Sequence, residues 1–260
     1  YPVKGGLIQW NKMERKAAAK AAELGIHLDL KRPVSMMTPA QKKCVEIVRA
    51  MMSDCKLLIL DEPTASLSDK ETNLLFSIVR NLKAKGTSVL YVTHRLEEIM
   101  ELTDRVTVLR NGTLVSTVDT AGTNRKELVR LMSGHETGAE DVETGKDAES
   151  KLQGAELLGA GAEGKIGRTV LEVHGIRSKD GIVRGVDLNV KAGLITGMFG
   201  LCGSGRTEFL ECIYGTRKLA GGEVMVNGAV TSHPTPSESI RQGMAFICED
   251  RRGKAMIPAF

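Results

Sequence analysis

Aromatic residues are scarce in this chain, at 3% of 260 residues, and no row of stacking platforms for single-stranded nucleic acid can be built from so few. Long apolar runs are missing too. No stretch approaches the roughly 18 apolar residues of a membrane-spanning helix, and no signal-peptide core opens the chain. The cysteines (Cys44, Cys55, Cys202, Cys212 and Cys248) show no CxxC or paired spacing, which points to reduced thiols rather than a disulfide framework. Charge is nearly balanced: a formal net of +4 implies no polyanion partner, so nucleic acid is not expected. A methionine start is also lacking. The chain opens on Tyr1 and stops just past a strand-like run, so both ends read as cuts through a longer protein.

What remains is ordinary for a soluble globular protein, 42% hydrophobic and 26% charged, with length for one large domain or two small ones. The sharpest signal is Leu57-Leu-Ile-Leu-Asp-Glu-Pro-Thr64. Four apolar residues between Lys56 and Asp61 suit a central strand of a parallel sheet, buried on both faces. The strand ends in two carboxylates, where an open α/β sheet places its ligand. A second apolar run, Ser88 to Val92, ends likewise in Thr93 and His94. Asp61, Glu62 and His94 at adjacent strand tips read as a metal-nucleotide hydrolysis site.

Around these strands the pattern alternates. An Ala-, Lys- and Glu-rich helix is expected over about 12–24, closed by Gly25, and a second over 42–52 with Thr38 as cap and Pro39 in its first turn. Thr38 at such a helix start reads as an ordinary cap or as a phosphate-facing terminus. Ser68 and Glu71 form a capping box for a helix with Leu74, Leu75, Ile78, Val79 and Leu82 on one face. Strand, helix, strand makes a βαβ unit with parallel strands. Asn111-Gly112 marks a hairpin, and a short helix over about 125–132 closes the first module. Residues 135–168 are Gly-, Ala- and charge-rich and read as a flexible linker, with a transient helix near 155–158. A second module, 169–260, brings strands at 169–173, 186–190 and 194–199, a helix to about 213, an Asn227-Gly228 hairpin and a strand at 244–248 before Glu249.

Gly200-Leu-Cys-Gly-Ser-Gly-Arg-Thr207 has the form G-x-x-x-x-G-[K/R]-[S/T] between a predicted strand and a predicted helix, the context a phosphate-binding loop requires. Its glycines let backbone N–H groups close around phosphate oxygens, and Thr207 offers a hydroxyl to Mg²⁺. Arg206 stands where lysine is expected; it keeps the charge on a longer, planar group.

Together, Asp61-Glu62-Pro63-Thr64, the turn Ala65 to Asp69, His94 and the upstream Gln41 segment resemble the ATPase subunits of ABC transporters, above all the two-domain ATPases of bacterial monosaccharide importers. The resemblance implies a P-loop NTPase-like α/β fold in two partial domains. Residues 1–134 correspond to the end of one nucleotide-binding domain (signature, Walker B, D-loop, switch histidine), and 169–260 to the start of a second (Walker A, Q-loop region). It implies that Asp61 holds Mg²⁺ through its water shell, that Glu62 orients or deprotonates the attacking water, and that His94 contacts the γ-phosphate. Gly200, Gly203, Ser204, Gly205, Arg206 and Thr207 would bind ATP; Thr38 and Gln41 would meet it from the signature segment, where Pro39 removes one backbone donor. Thr207 and Glu249 would join Asp61 as neighbours of Mg²⁺. The implied partners are integral-membrane permease subunits, a sugar-binding protein acting through them, and a second nucleotide-binding domain of the same or a partner chain. The implied location is the cytoplasmic face of the membrane. Two other readings stand beside this one: a non-transport ABC protein of translation-factor type, and a catalytically degenerate nucleotide-binding scaffold. With Walker A in one module and Walker B in the other, the expectation is that neither site is completed within this chain and that it shows no appreciable ATPase alone.

Overall fold

The computed structural model describes residues 3–4, 7–53, 55–133, 167–201 and 203–248. A short ribbon of β1 (Val3–Lys4) and β2 (Leu7–Ile8) precedes α1 (Trp10–Glu23). Then α2 (Pro39–Met51) leads into β3 (Leu57–Asp61), α3 (Asp69–Ala84), β4 (Ser88–Thr93), α4 (Leu96–Leu102), β5 (Arg105–Arg110), β6 (Thr113–Asp119) and α5 (Arg125–Ser133). The later segment carries β7 (Thr169–Ser178), β8 (Arg184–Lys191), β9 (Ile195–Phe199), α6 (Arg206–Tyr214), β10 (Leu219–Val226), β11 (Ala229–Thr231), α7 (Pro236–Arg241) and β12 (Met244–Ile247).

Local chemistry sets most of these boundaries. Both expected caps form: Thr38 Oγ1 accepts from Gln41 N while Gln41 Oε1 accepts from Thr38 N, and Ser68 with Glu71 repeats the box at α3. Asn111-Gly112 and Asn227-Gly228 all take positive φ, as the tight hairpin turns they close require. Two short helices, α4 and α7, were not among the sequence expectations. The expected linker, with its transient helix near 155–158, lies outside the described residues apart from its last two, 167 and 168.

Six strands form one sheet in the order β12-β3-β4-β9-β5-β6. β3 and β4 are parallel, as a βαβ unit demands, with Leu57 opposite Ser88 and Asp61 opposite Val92. The two modules of the sequence are not two sheets in space. β9 of the later segment lies between β4 and β5 of the earlier one and is parallel to both; β12 pairs with β3. A second sheet, β11-β10-β7-β8, is antiparallel.

Both faces of the large sheet are covered, which accounts for the unbroken apolar run in β3. Leu57 and Ile59 pack with Met198, Phe209, Leu210 and the residues of β7, β8 and β10. Leu58 and Leu60 face the other way, into Ile47, Leu75, Ile78 and Val79 of α2 and α3. At roughly 2 kcal/mol for each large side chain fully removed from water, the mixed core ties the two segments together.

Gly197 of β9 carries no side chain for a reason. A Cβ there would sit 2.8 Å from both Ile99 Cδ1 and Thr103 Cγ2, so glycine is what lets the end of α4 lie on this strand. No helix among the described residues is long and apolar enough to cross a membrane.

Cys44, Cys55, Cys212 and Cys248 are buried thiols outside any disulfide among the described residues, and Cys202 lies outside those residues. Burial pushes the Cys212 thiol up to about 11, so it stays protonated at pH 8. Iodoacetamide at that pH is expected to leave Cys212 unlabelled in the folded chain and to modify it in urea, read by peptide mass mapping. Labelling at equal rates in both states would contradict the burial of α6.

Candidate functional site

Three parallel strands deliver the expected side chains to one edge of the sheet. β3 ends at Asp61, fully buried, and the chain turns at Glu62, whose φ of +40° is rare for a residue with a side chain. Such a backbone costs about 1–3 kcal/mol and persists only where the surroundings hold it. Here they do: Glu62 N donates to Val92 O of the neighbouring strand at 2.9 Å. One strand over, His94 follows β4, and its Nδ1 lies 3.0 Å from Glu62 Oε1.

The glycine loop follows β9, the next strand in the sheet. Gly203 and Gly205 have φ of +76° and +89°, and Gly205 opens α6 with no side-chain cap, so the first N–H groups of that helix are left for an anion. A Cβ on Gly200 would strike Leu109 O and Ser204 Oγ, so only glycine lets the loop fold back so tightly. The loop is anchored from the earlier segment: Gly112 N donates to Ser204 O at 2.9 Å.

Arg206 joins the two halves of the site. Its side chain is 7% exposed, and Nη2 donates to Glu62 Oε1 at 2.8 Å, an ion pair across 144 positions of sequence. From the sequence, loop and carboxylates are expected to await separate partners; in this chain they meet on one sheet edge. β9 inserts beside β4, and strand pairing brings the loop's arginine onto the carboxylate that follows β3. Arg206 Nη1 and Ser204 Oγ are buried without a hydrogen-bond partner among the described residues. Polar groups left so usually await a ligand or water.

The other expected residues lie as follows. Thr207 is the second residue of α6, partly buried. Thr38 and Gln41 are spent on each other in the cap of α2, which is the ordinary reading of that helix start. Glu249 lies outside the described residues. A further group went unnoticed in the sequence: Glu98 of α4, buried beneath the turn, with Thr64 and Tyr91 hydrogen-bonded to it. Its one sequence signal is a glutamate four residues beyond His94 on a helix, which solvent-facing glutamates share.

The arrangement offers an anion-binding loop, a carboxylate and an imidazole in mutual contact, and a second carboxylate, Asp61, one residue before Glu62 at the tip of β3. That set suits phosphoryl chemistry, in which positioning and charge neutralisation do most of the work.

Comparison with known proteins agrees. The sequence profile of the family described as ABC transporter matches residues 3–65 and 183–258. The chain is 35% identical over 257 residues to a ribose import ATP-binding protein of Lactococcus lactis, covering 99% of this chain and 48% of that one. It is 38% identical to a ribose import ATP-binding protein of Rubrobacter xylanophilus, again over 99% and 48%. To the D-allose import ATP-binding protein of Escherichia coli it is 35% identical, over 98% and 47%. The chain thus spans about half the length of the curated relatives it matches.

Proposed function

Because this chain belongs to the ABC transporter family, we propose that it is part of the ATP-binding subunit of a monosaccharide importer and binds ATP at the edge shared by β3, β4 and β9. The observation that carries this reading is the 2.8 Å contact from Arg206 of the glycine loop to Glu62. It puts a phosphate-binding loop and a candidate base for water in one place.

In this reading the N–H groups of the loop and of the first turn of α6 hold the β- and γ-phosphates, and Arg206 Nη1 takes up one of their oxygens. Glu62 orients the attacking water and accepts its proton, while His94 fixes the Glu62 carboxylate and touches the γ-phosphate. Asp61, through water, and the Thr207 hydroxyl would hold Mg²⁺, both being oxygen donors of the kind that ion prefers. Mg²⁺ bound there would neutralise charge on the phosphates. Residues 1–134 and 169–260 are the end of one nucleotide-binding domain and the start of the next. Thr38 and Gln41 present the signature segment to a facing domain. The partners are permease subunits at the cytoplasmic face of the membrane, with a sugar-binding protein acting through them.

The same contact favours slow chemistry in this chain alone. Glu62 Oε1 is already engaged by Arg206 Nη2 and His94 Nδ1, which leaves that oxygen little room to take hold of an attacking water. We expect a fluorescent ATP analogue to bind the 260-residue chain with Mg²⁺, at about one per chain, with turnover no faster than that of Glu62→Gln. Absence of binding would remove the nucleotide site; turnover well above the Glu62→Gln control would remove the restraint on Glu62.

A further inference from the structure

Glu98 is 3% exposed, and a carboxylate so buried costs several kcal/mol unless it is fully paired. It is paired three times. Thr64 Oγ1 donates to Glu98 Oε1 at 2.6 Å, Arg95 Nη1 lies 3.0 Å from the same oxygen, and Tyr91 OH donates to Oε2 at 3.0 Å. Thr64 and Tyr91 are themselves buried, at 2% and 0% exposure. Burial first, and then the charge of Glu98, hold the Tyr91 phenol far above its ordinary range, so it stays a donor.

These donors come from different stretches of chain. Thr64 belongs to the turn after β3 and stands two residues past Glu62, with the ring of Pro63 fixing the φ between them. Arg95 adjoins His94, and Tyr91 lies on β4. Glu62 is held in a strained conformation by Val92 O and Arg206, and His94 is half exposed, with Glu62 its one side-chain partner among the described residues. His94 therefore depends for its place on Glu62 and on its own link to β4.

We propose that Glu98 is a positioning residue. Its carboxylate binds both the turn that carries Glu62 and the link that carries His94, and so holds those two side chains at their 3.0 Å contact. It touches neither of them. It acts through Thr64 on one side and Arg95 on the other, with Tyr91 fixing the second oxygen. The functional meaning rests on reading Glu62 and His94 as the hydrolytic pair; the contact itself needs no nucleotide.

The test reads the side-chain NMR signals of the histidines in the whole chain without nucleotide. His94→Asn assigns the His94 signals, and Glu62→Gln gives their position when the contact to the carboxylate is lost. In Glu98→Gln and in Thr64→Val, His94 is expected to move toward the Glu62→Gln position while the other histidines stay. Thr64→Ser, which keeps the hydroxyl, is expected to restore the parent signals. A merely structural role would lower thermal stability and leave His94 in place, and that result overturns the proposal. So does a His94 signal that Glu62→Gln does not move. Should Glu98→Gln fail to fold, Thr64→Val and Tyr91→Phe each delete one donor and decide the matter. Failure of the chain to bind nucleotide would sink the proposed function and leave this readout untouched.

Discussion

Arg206→Ala is expected to weaken nucleotide binding by about tenfold to a hundredfold, the equivalent of one charge-assisted hydrogen bond of about 1.5–3 kcal/mol. It is also expected to destabilise the nucleotide-free chain. Removing one member of a buried ion pair costs about 3–5 kcal/mol, because the other charge is left behind. The lower end applies here, since Glu62 keeps 15% exposure and the His94 contact. Arg206→Lys separates the two effects. Lysine keeps the positive charge but has no planar fork, so it can serve Glu62 or the phosphate well, not both. Titration with a fluorescent nucleotide and urea unfolding measure the two quantities on the same samples. Affinity unchanged in Arg206→Ala would mean that the loop does not hold phosphate through this residue.

Gly197→Val should cost 3 kcal/mol or more, beyond the usual about 1–3 kcal/mol of an overpacked core position. Of the atoms a Cβ would meet, Ile99 Cδ1 is the free end of a side chain and can swing away. Thr103 cannot: its Oγ1 donates to Ile99 O at 2.9 Å and lies 2.9 Å from Thr120 Oγ1. The helix must therefore shift as a body, or β9 must. With about 2–4 °C lost per kcal/mol in a chain of this size, the midpoint of thermal unfolding should fall by at least about 6 °C. Because α4 carries Glu98, the shift should also disturb His94 in the NMR spectrum. A valine variant that melts with the parent chain would show that α4 does not rest on β9.

Much of this was legible in the sequence, for local reasons. The carboxylates at the end of β3, the Thr38 cap, the Ser68–Glu71 box, both Asn-Gly turns and the strand–glycine-loop–helix order are written in short stretches of sequence, and each took the expected form. What was not legible is long-range. The apolar run of β9 says that it is buried, not that its neighbours are β4 and β5. Arg206 declares a charge but not that Glu62 receives it. α4 was missed because its seven residues are too few for a clear period, and α7 although Thr235-Pro236 is a fair cap and first turn. Glu98 shows the hardest case: nothing in a single sequence separates a buried glutamate from a solvated one.

The place of β9 bears on how residues 1–260 refold by themselves. β4 and β5 are close in sequence, yet they join only through residues 195–199, which pair with both. Closing so long a loop comes before any reward from the pairing, which slows folding. Until β9 seats, the facing edges of the two strands lack this partner and are open to other copies, so refolding from urea should lose more of this chain to association as its concentration rises.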